Sequence, residues 1–363
     1  MLDLATIFHH VQRQLFPVIE EEWGPLRELD RQFCAVLALA DPSRWVHSLE
    51  WCGNGAPPHS RLRLAHAFIA KSVYLFPTTA ALLKALHSQP MLRRLCGWDS
   101  AGEVPSEATF SRAFAQFSCL GLPQQIHAHL IATQAGPKLV GHISRDATAI
   151  EVPERPAAKP PVEPPPPRRM GRPNKGQAPQ PAPLKRLDLQ LTRSLEANLA
   201  DLPCRCDIGF KRNAQGLHNS WRGYKLHLDC IDGDIPIAAI LTSASLHDSQ
   251  AAIPLAQMSR SRVTALYELM DGAYDAPQIR DFSRQLGRVP IIAPNRRGGP
   301  PRELEPAHRE RFKERSTVER VAGRLKQRYG GRWVRVRGAA KVMCHLSFGL
   351  LALAATALYA RLC

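Results

Sequence analysis

Three carboxylates stand out by type and position. Asp146 lies in Lys138–Ile150 (KLVGHISRDATAI), whose alternation and β-branched ends predict a strand ending near that aspartate. Asp271 follows the short apolar strand Thr264–Met270. Glu319 lies in Glu305–Arg328 (EPAHRERFKERSTVERVAGRLKQR), which has no proline after Pro306 and is dense in helix formers, predicting one basic helix. At about 100° per residue, Phe312, Arg315, Glu319 and Lys326 share one face of that helix, with Glu310 and Glu314 turned away. Acids at carboxyl ends of sheet strands project into the crevice where α/β proteins carry their sites. Joined by a helix glutamate, they make a hard oxygen donor set suited to two Mg²⁺ ions. Two metals about 4 Å apart activate the attacking oxygen and stabilise the leaving one in phosphodiester chemistry, with arginine and lysine holding phosphates. Each acid also has a plainer reading, as a turn aspartate or as the i,i+4 salt-bridge partner of Arg315.

The charge distribution narrows the partner. Of a net +16, positions 153–186 carry +6 (eight Lys/Arg, two Glu) and positions 296–341 carry +10 (fifteen Lys/Arg, five Glu), so the rest of the chain is balanced. Positive charge concentrated in this way points to a polyanion, most often nucleic acid. A hydrophobic content of 44% over 363 residues supports two domains with a sizeable core and excludes wholesale disorder. Nine scattered cysteines predict reduced thiols in a cytosolic protein. Cys204-x-Cys206 with His218 and His227 is the one cluster to weigh as a zinc site, and its spacing is wrong for the common structural ones. The start, MLDLATIFHHVQRQ, lacks the apolar run of a signal peptide. Val342–Ala360 is long enough to span a bilayer, but its His345, Ser347, Thr356 and many alanines predict a buried C-terminal core helix and no membrane partner.

The elements that must position the carboxylates follow in order. Residues 1–135 read as an all-α domain, with helices over Arg61–Phe76, Thr78–His87 and Gln124–Thr133. In VPSEATFSRAFAQF, Ser106 is the expected cap and Phe110, Phe114 and Phe117 the buried face. Arg112 projects from another face, either as a groove-reading residue of a helix-turn-helix or as a surface arginine on a packing helix. Residues 136–363 then change period to mixed strands and helices. Inside them, 153–185 is a proline-rich basic insertion that cannot form a core element, with twelve prolines between Pro153 and Pro183. Its Arg168–Lys175 segment, centred on Gly171-Arg172-Pro173, resembles an AT-hook core with Met170 in place of the leading arginine. Tyr224–Ile231 and Ile235–Thr242 around Asp232-Gly233-Asp234 predict a hairpin, and 206–216 a shorter one. A helix opening at His247, capped by Asp248 or Ser249, a helix from an Asp275 cap to Leu286, and a strand at Val289–Ala293 complete an α/β order.

Several of these segments resemble the DDE transposases of bacterial insertion sequences: ISRDAT with Asp146, GYKLH at 223–227, SASLHDS at 243–249, LMDGAYDA with Asp271, and the basic helix. One branch of that family carries Tyr-x2-Arg-x3-Glu-x6-Lys on the helix. Here the pattern is Phe312-x2-Arg315-x3-Glu319-x6-Lys326, so the spacing matches and the tyrosine hydroxyl is missing. The N-terminal PMLRRLCGWDSAGEVPSEATFSRAF also resembles the helical domain that precedes such cores. The resemblance implies an RNase H-like mixed sheet flanked by helices, with Asp146 on a central first strand, Asp271 after the fourth and Glu319 on an adjacent helix. It implies metal-dependent cleavage and strand transfer of DNA, with Asp146, Asp271 and Glu319 as catalytic ligands of two Mg²⁺ ions, for which Mn²⁺ can substitute. Arg315, Lys326, Phe312, Arg112 and Arg172 are the expected DNA contacts. The implied partners are double-stranded DNA at element ends and target, and a second copy in a synaptic dimer at the bacterial nucleoid. The alternative is a non-catalytic DNA-binding protein derived from a transposase.

Overall fold

Residues 3–46, 58–158, 184–212, 218–294 and 303–362 are described by the structure, a computed structural model. Arg172, the Arg168–Lys175 segment around it and most of the proline-rich insertion lie outside the described residues. The sheet comprises β1 (Leu139–Glu151), β2 (Asp207–Arg212), β3 (His218–Ile231), β4 (Ile235–Ser243), β5 (Thr264–Met270) and β6 (Val289–Ile292). Their order is β2-β3-β1-β5-β6, with β4 also paired to β3. β3 runs antiparallel to β1, β2 and β4, whereas β5 runs parallel to both β1 and β6. This is the mixed sheet with a central first strand that the family resemblance implied. The polar stretch after Cys206 adds the extra strand β2, so Asp271 follows the fifth strand in chain order rather than the fourth.

Two glycines let the long strand β3 lie where it does. Gly233 (φ 81°), followed by Asp234 (φ 61°), supplies the left-handed turn between β3 and β4. Gly223 (φ 149°) faces Glu151 in the ladder, and a β-carbon there would collide with the Ile150 carbonyl. The GYKLH and SASLHDS segments meet through these strands: Lys225 Nζ donates to Asp248 Oδ1 (2.8 Å), and His227 bonds Thr242 (2.9 Å).

The apolar C-terminal segment is a helix, Ala339–Ala360, buried along most of its length. It packs on β4 and on the N-terminal helices Glu28–Ala40, Arg61–Val73, Glu107–Leu120 and Leu122–Gln134. An aromatic cluster joins these layers, with Phe68 against Phe110, Phe114, Phe117 and Phe348. Gly349 allows the same helix to touch the chain carrying Glu319, since a β-carbon there would strike Tyr329 O and Leu325 Cδ1.

Four local expectations are corrected. β1 does not end near Asp146; it continues to Glu151 because β3 supplies antiparallel partners as far as Gly223. The basic segment is not one helix: Pro306–Phe312 and Ser316–Arg328 are separated by a 3-10 turn at Lys313–Arg315. That turn lies against β1, where Ser144 Oγ donates to the Glu314 carbonyl (2.9 Å) and so stabilises the break. After β4, His247 rather than Asp248 or Ser249 is the cap, accepting from Ser249 N, and a 3-10 turn precedes the helix Ala252–Arg260. Asp275 does not cap the helix Pro277–Gln285 but pairs with Arg280 (2.7 Å), while Ala276 holds the cap position. A titratable side chain near a helix start is drawn to the nearest cation when one is within reach.

Candidate active site

The register of β1 and β5 sets the first two carboxylates side by side. Their parallel ladder ends at Arg145↔Met270; Asp146 is the next residue of β1, and Asp271 immediately follows β5. Alternation along a strand then turns both aspartates to the sheet face opposite Arg145 and Met270. Asp146 Oδ1 accepts from the amide of Ala147 (2.7 Å), and Asp271 Oδ1 accepts from Ala273 N (2.9 Å), capping a short 3-10 turn. Burial raises the Asp146 pKa, and the neighbouring Asp271 charge raises it further against the opposing pull of the Ala147 amide, Arg315 and Lys211. A carboxylate in this state gains from any cation brought beside it.

Helix Ser316–Arg328 delivers Glu319 to the same cleft. Its buried side, Thr317, Val318, Val321 and Leu325, packs into the core. Arg320 and Arg324 pair with Asp234 in the β3–β4 turn (2.9 and 3.0 Å), which fixes the rotation of the helix. The remaining face looks onto the sheet, and Asp146, Glu319, Lys326, Gly323 and Lys211 line a cleft of about 310 Å³. Arg315 bridges the two elements, contacting Glu319 at 2.5 Å and Asp146 at 3.4 Å. The i,i+4 pair is therefore present, extended to the strand aspartate. The Arg315 guanidinium lies 6.0 Å from the ring centre of Phe312.

Beneath the aspartates lies a second charge cluster that sequence reading missed. Arg145 is 1% exposed and binds Asp229 with two hydrogen bonds (2.7 and 2.8 Å) and Glu268 with one (3.3 Å). Arg288 donates to Glu268 (2.6 Å), while Ser259 and Ser283 donate to Asp229 and Glu268. Burial disfavours each charge, yet the ion pairs more than offset it: the Arg145 pKa is raised and the Glu268 carboxyl is held below its usual range. The signal in sequence was slight, two acids and two arginines inside otherwise apolar strand contexts.

Two family models match the chain. One, described as a Transposase DDE domain, covers residues 142–355; the other, described as a Transposase domain, covers residues 14–116. The chain is a DDE transposase. No curated protein and no solved structure matches it. The larger match contains the two strand aspartates and the helix glutamate of the transposase, and the smaller covers its N-terminal helices. DNA binding and transposition follow from that membership.

Of the expected site residues, Asp146, Glu319 and Lys326 line one cleft, Arg315 contacts both of its acids, and Asp271 lies beside Asp146 just past the β1–β5 ladder. Arg112 is elsewhere, exposed on helix Glu107–Leu120, with its guanidinium donating to Thr109 Oγ1 (3.3 Å). Ser106 holds the cap position of that helix, but its hydroxyl bonds Thr109 rather than the backbone. The zinc possibility ends here for the described residues: Cys204 donates to Leu241 O and Cys206 to Glu154 O, and no group of three or more His, Cys, Asp or Glu able to hold a metal is formed. Asp146, Asp271 and Glu319 likewise form no such group, and Arg315 contacts both Asp146 and Glu319. The donor set nevertheless fits hard divalent cations, being all oxygen, with a destabilised aspartate charge beside a second aspartate. DDE transposases generally use such metals.

Proposed function

We propose that this transposase cuts DNA at the ends of its element and joins the freed 3′ ends to a target, using Asp146, Asp271 and Glu319. The observation that carries this reading is the register: Asp146 and Asp271 each follow the last pair of the β1–β5 ladder, and Asp146, with its raised pKa, shares a cleft with Glu319. Together the three carboxylates would hold two Mg²⁺ ions, or Mn²⁺ in their place, which when bound supply activation of the attacking oxygen and charge stabilisation at the leaving one. Arg315 neutralises the acids until they are otherwise engaged, then turns to a DNA phosphate, for which its planar fork is suited. Lys326 faces the cleft and adds a second cation for the scissile strand. Phe312, without the hydroxyl of the family pattern, offers only a ring against which the strand and Arg315 pack. The N-terminal domain, residues 1–135 with exposed Arg112, grips the element ends, the catalytic domain spans 136–363, and two copies pair the ends.

The test is Mg²⁺-dependent nicking of a duplex taken from the DNA flanking the gene. Asp146→Asn, Asp271→Asn and Glu319→Gln should each abolish nicking while leaving DNA binding measurable. Wild-type rates in all three variants would remove the catalytic assignment and leave a salt-dependent DNA-binding protein.

A further inference from the structure

One glycine in the carboxylate helix has no packing reason. A β-carbon at Gly349 or Gly331 would collide with neighbouring atoms, whereas at Gly323 it would meet nothing within 4 Å. Gly323 is mid-helix, where glycine is less stable than alanine. It lies four residues after Glu319 and three before Lys326, so the three share one face and all line the cleft. The opposite wall carries Lys211 of β2, the extra strand, which is exposed and forms no salt bridge among the described residues. Lys326 also forms none, although it is partly shielded and burial lowers its pKa. Two cations, neither in an ion pair though Glu151 acts on Lys326 and Asp146 on Lys211 at longer range, thus line one cleft beside Asp146, where the helix carries no side chain at position 323.

Resting on the reading of this cleft as the DNA-cleaving site, we infer that the gap between β2 and helix Ser316–Arg328 is the seat of one DNA phosphodiester, clamped by Lys211 and Lys326 and admitted to close range by Gly323. The anion is recognised by charge from both sides, and the sugar-phosphate backbone occupies the space a side chain at 323 would fill. Lys211 is accordingly a DNA contact contributed by the extra strand β2. Its charge also acts on Asp146, so the seat lies within reach of the carboxylates.

Binding is measured without divalent metal, using the flanking-DNA duplex and a shuffled duplex, across a salt series. Lys211→Gln should weaken both about tenfold and reduce the log affinity–log salt slope by about one, as loss of one phosphate contact requires. Gly323→Leu should weaken binding comparably with little change in that slope. Gly323→Ala should raise the melting temperature by about 1–3 °C, because only the helix propensity changes. Wild-type affinity and slope in Lys211→Gln, or undiminished binding by folded Gly323→Leu, overturns the inference. A melting temperature lowered by Gly323→Ala would also overturn it, since the glycine would then have a structural role. If the wild type binds DNA but never nicks, the catalytic reading fails while these binding results still decide the seat. If it nicks and the variants bind normally, only the seat fails.

Discussion

Arg145 and Asp146 are neighbours in sequence and opposites in environment. Arg145 turns into a closed cluster with Asp229, Glu268 and Arg288, every member under 5% exposed, two positive charges against two negative. Asp146 turns to the open face, where Asp271 adds repulsion and Arg315 is the cation in contact. Identical residue types therefore do different work on the two faces. Buried and fully hydrogen-bonded, they lock β1, β3 and β5 in register; half-open and short of partners, they retain attraction for an incoming cation or phosphate.

The sharpest way to break this contrast is to neutralise one residue from each face. Asp146→Asn should cut Mg²⁺-dependent nicking on the order of a thousandfold or more. Its melting temperature should stay level or rise, because a carboxylate with a raised pKa opposes folding when charged. Arg145→Met should do the reverse, costing about 3–5 kcal/mol in urea unfolding by stranding buried acids, with nicking per folded molecule retained. A destabilised Asp146→Asn beside an intact Arg145→Met would invert the assignment.

Acid titration separates the faces less drastically. His227 sits two residues from Asp229 on the same side of β3, and burial pushes its pKa down to about 4. The unfolded chain therefore takes up this proton first, so stability should fall as pH drops from about 6.5 toward 4. Glu268, held below its usual range, contributes stability above pH 4.5 that is lost at still lower pH. Urea midpoints across this range should decline for the wild type and decline less for His227→Gln between pH 6.5 and 4. The smallest effect is expected at Arg315. Arg315→Gln should change stability by only about 1 kcal/mol or less, the worth of a part-exposed ion pair, while lowering the Mg²⁺ concentration needed for half-maximal nicking. An unchanged Mg²⁺ requirement would mean that the bridge to Asp146 and Glu319 does not compete with metal.

Much of the site was legible before any coordinates. Helical rotation placed Arg315, Glu319 and Lys326 on one face; Glu319 and Lys326 lie beyond the 3-10 turn and line one cleft, and Arg315, inside the turn, still reaches Glu319. The hairpin around Gly233 was legible because a tight turn demands a left-handed residue. Asp146 was found through the wrong feature. β1 does not end there; its parallel partner does. Lys211 and the Arg145 cluster were not legible, because both depend on which strands become neighbours.

By itself the sequence determined the chemistry on offer: three carboxylates, a helix face with one acid among bases, and a basic balance suited to DNA. Side-chain type and local periodicity decide those, and both are written along the chain. Only the tertiary structure decided that Asp146 and Asp271 lie abreast, that Arg315 bridges Asp146 to Glu319, and that Lys211 and Lys326 line one cleft. Strand register, sheet face and burial arise from contacts between segments far apart in the chain, such as Arg315 with Asp146, 169 residues away. No local preference encodes which of two adjacent charges, Arg145 or Asp146, will be sealed in and which left open to a substrate.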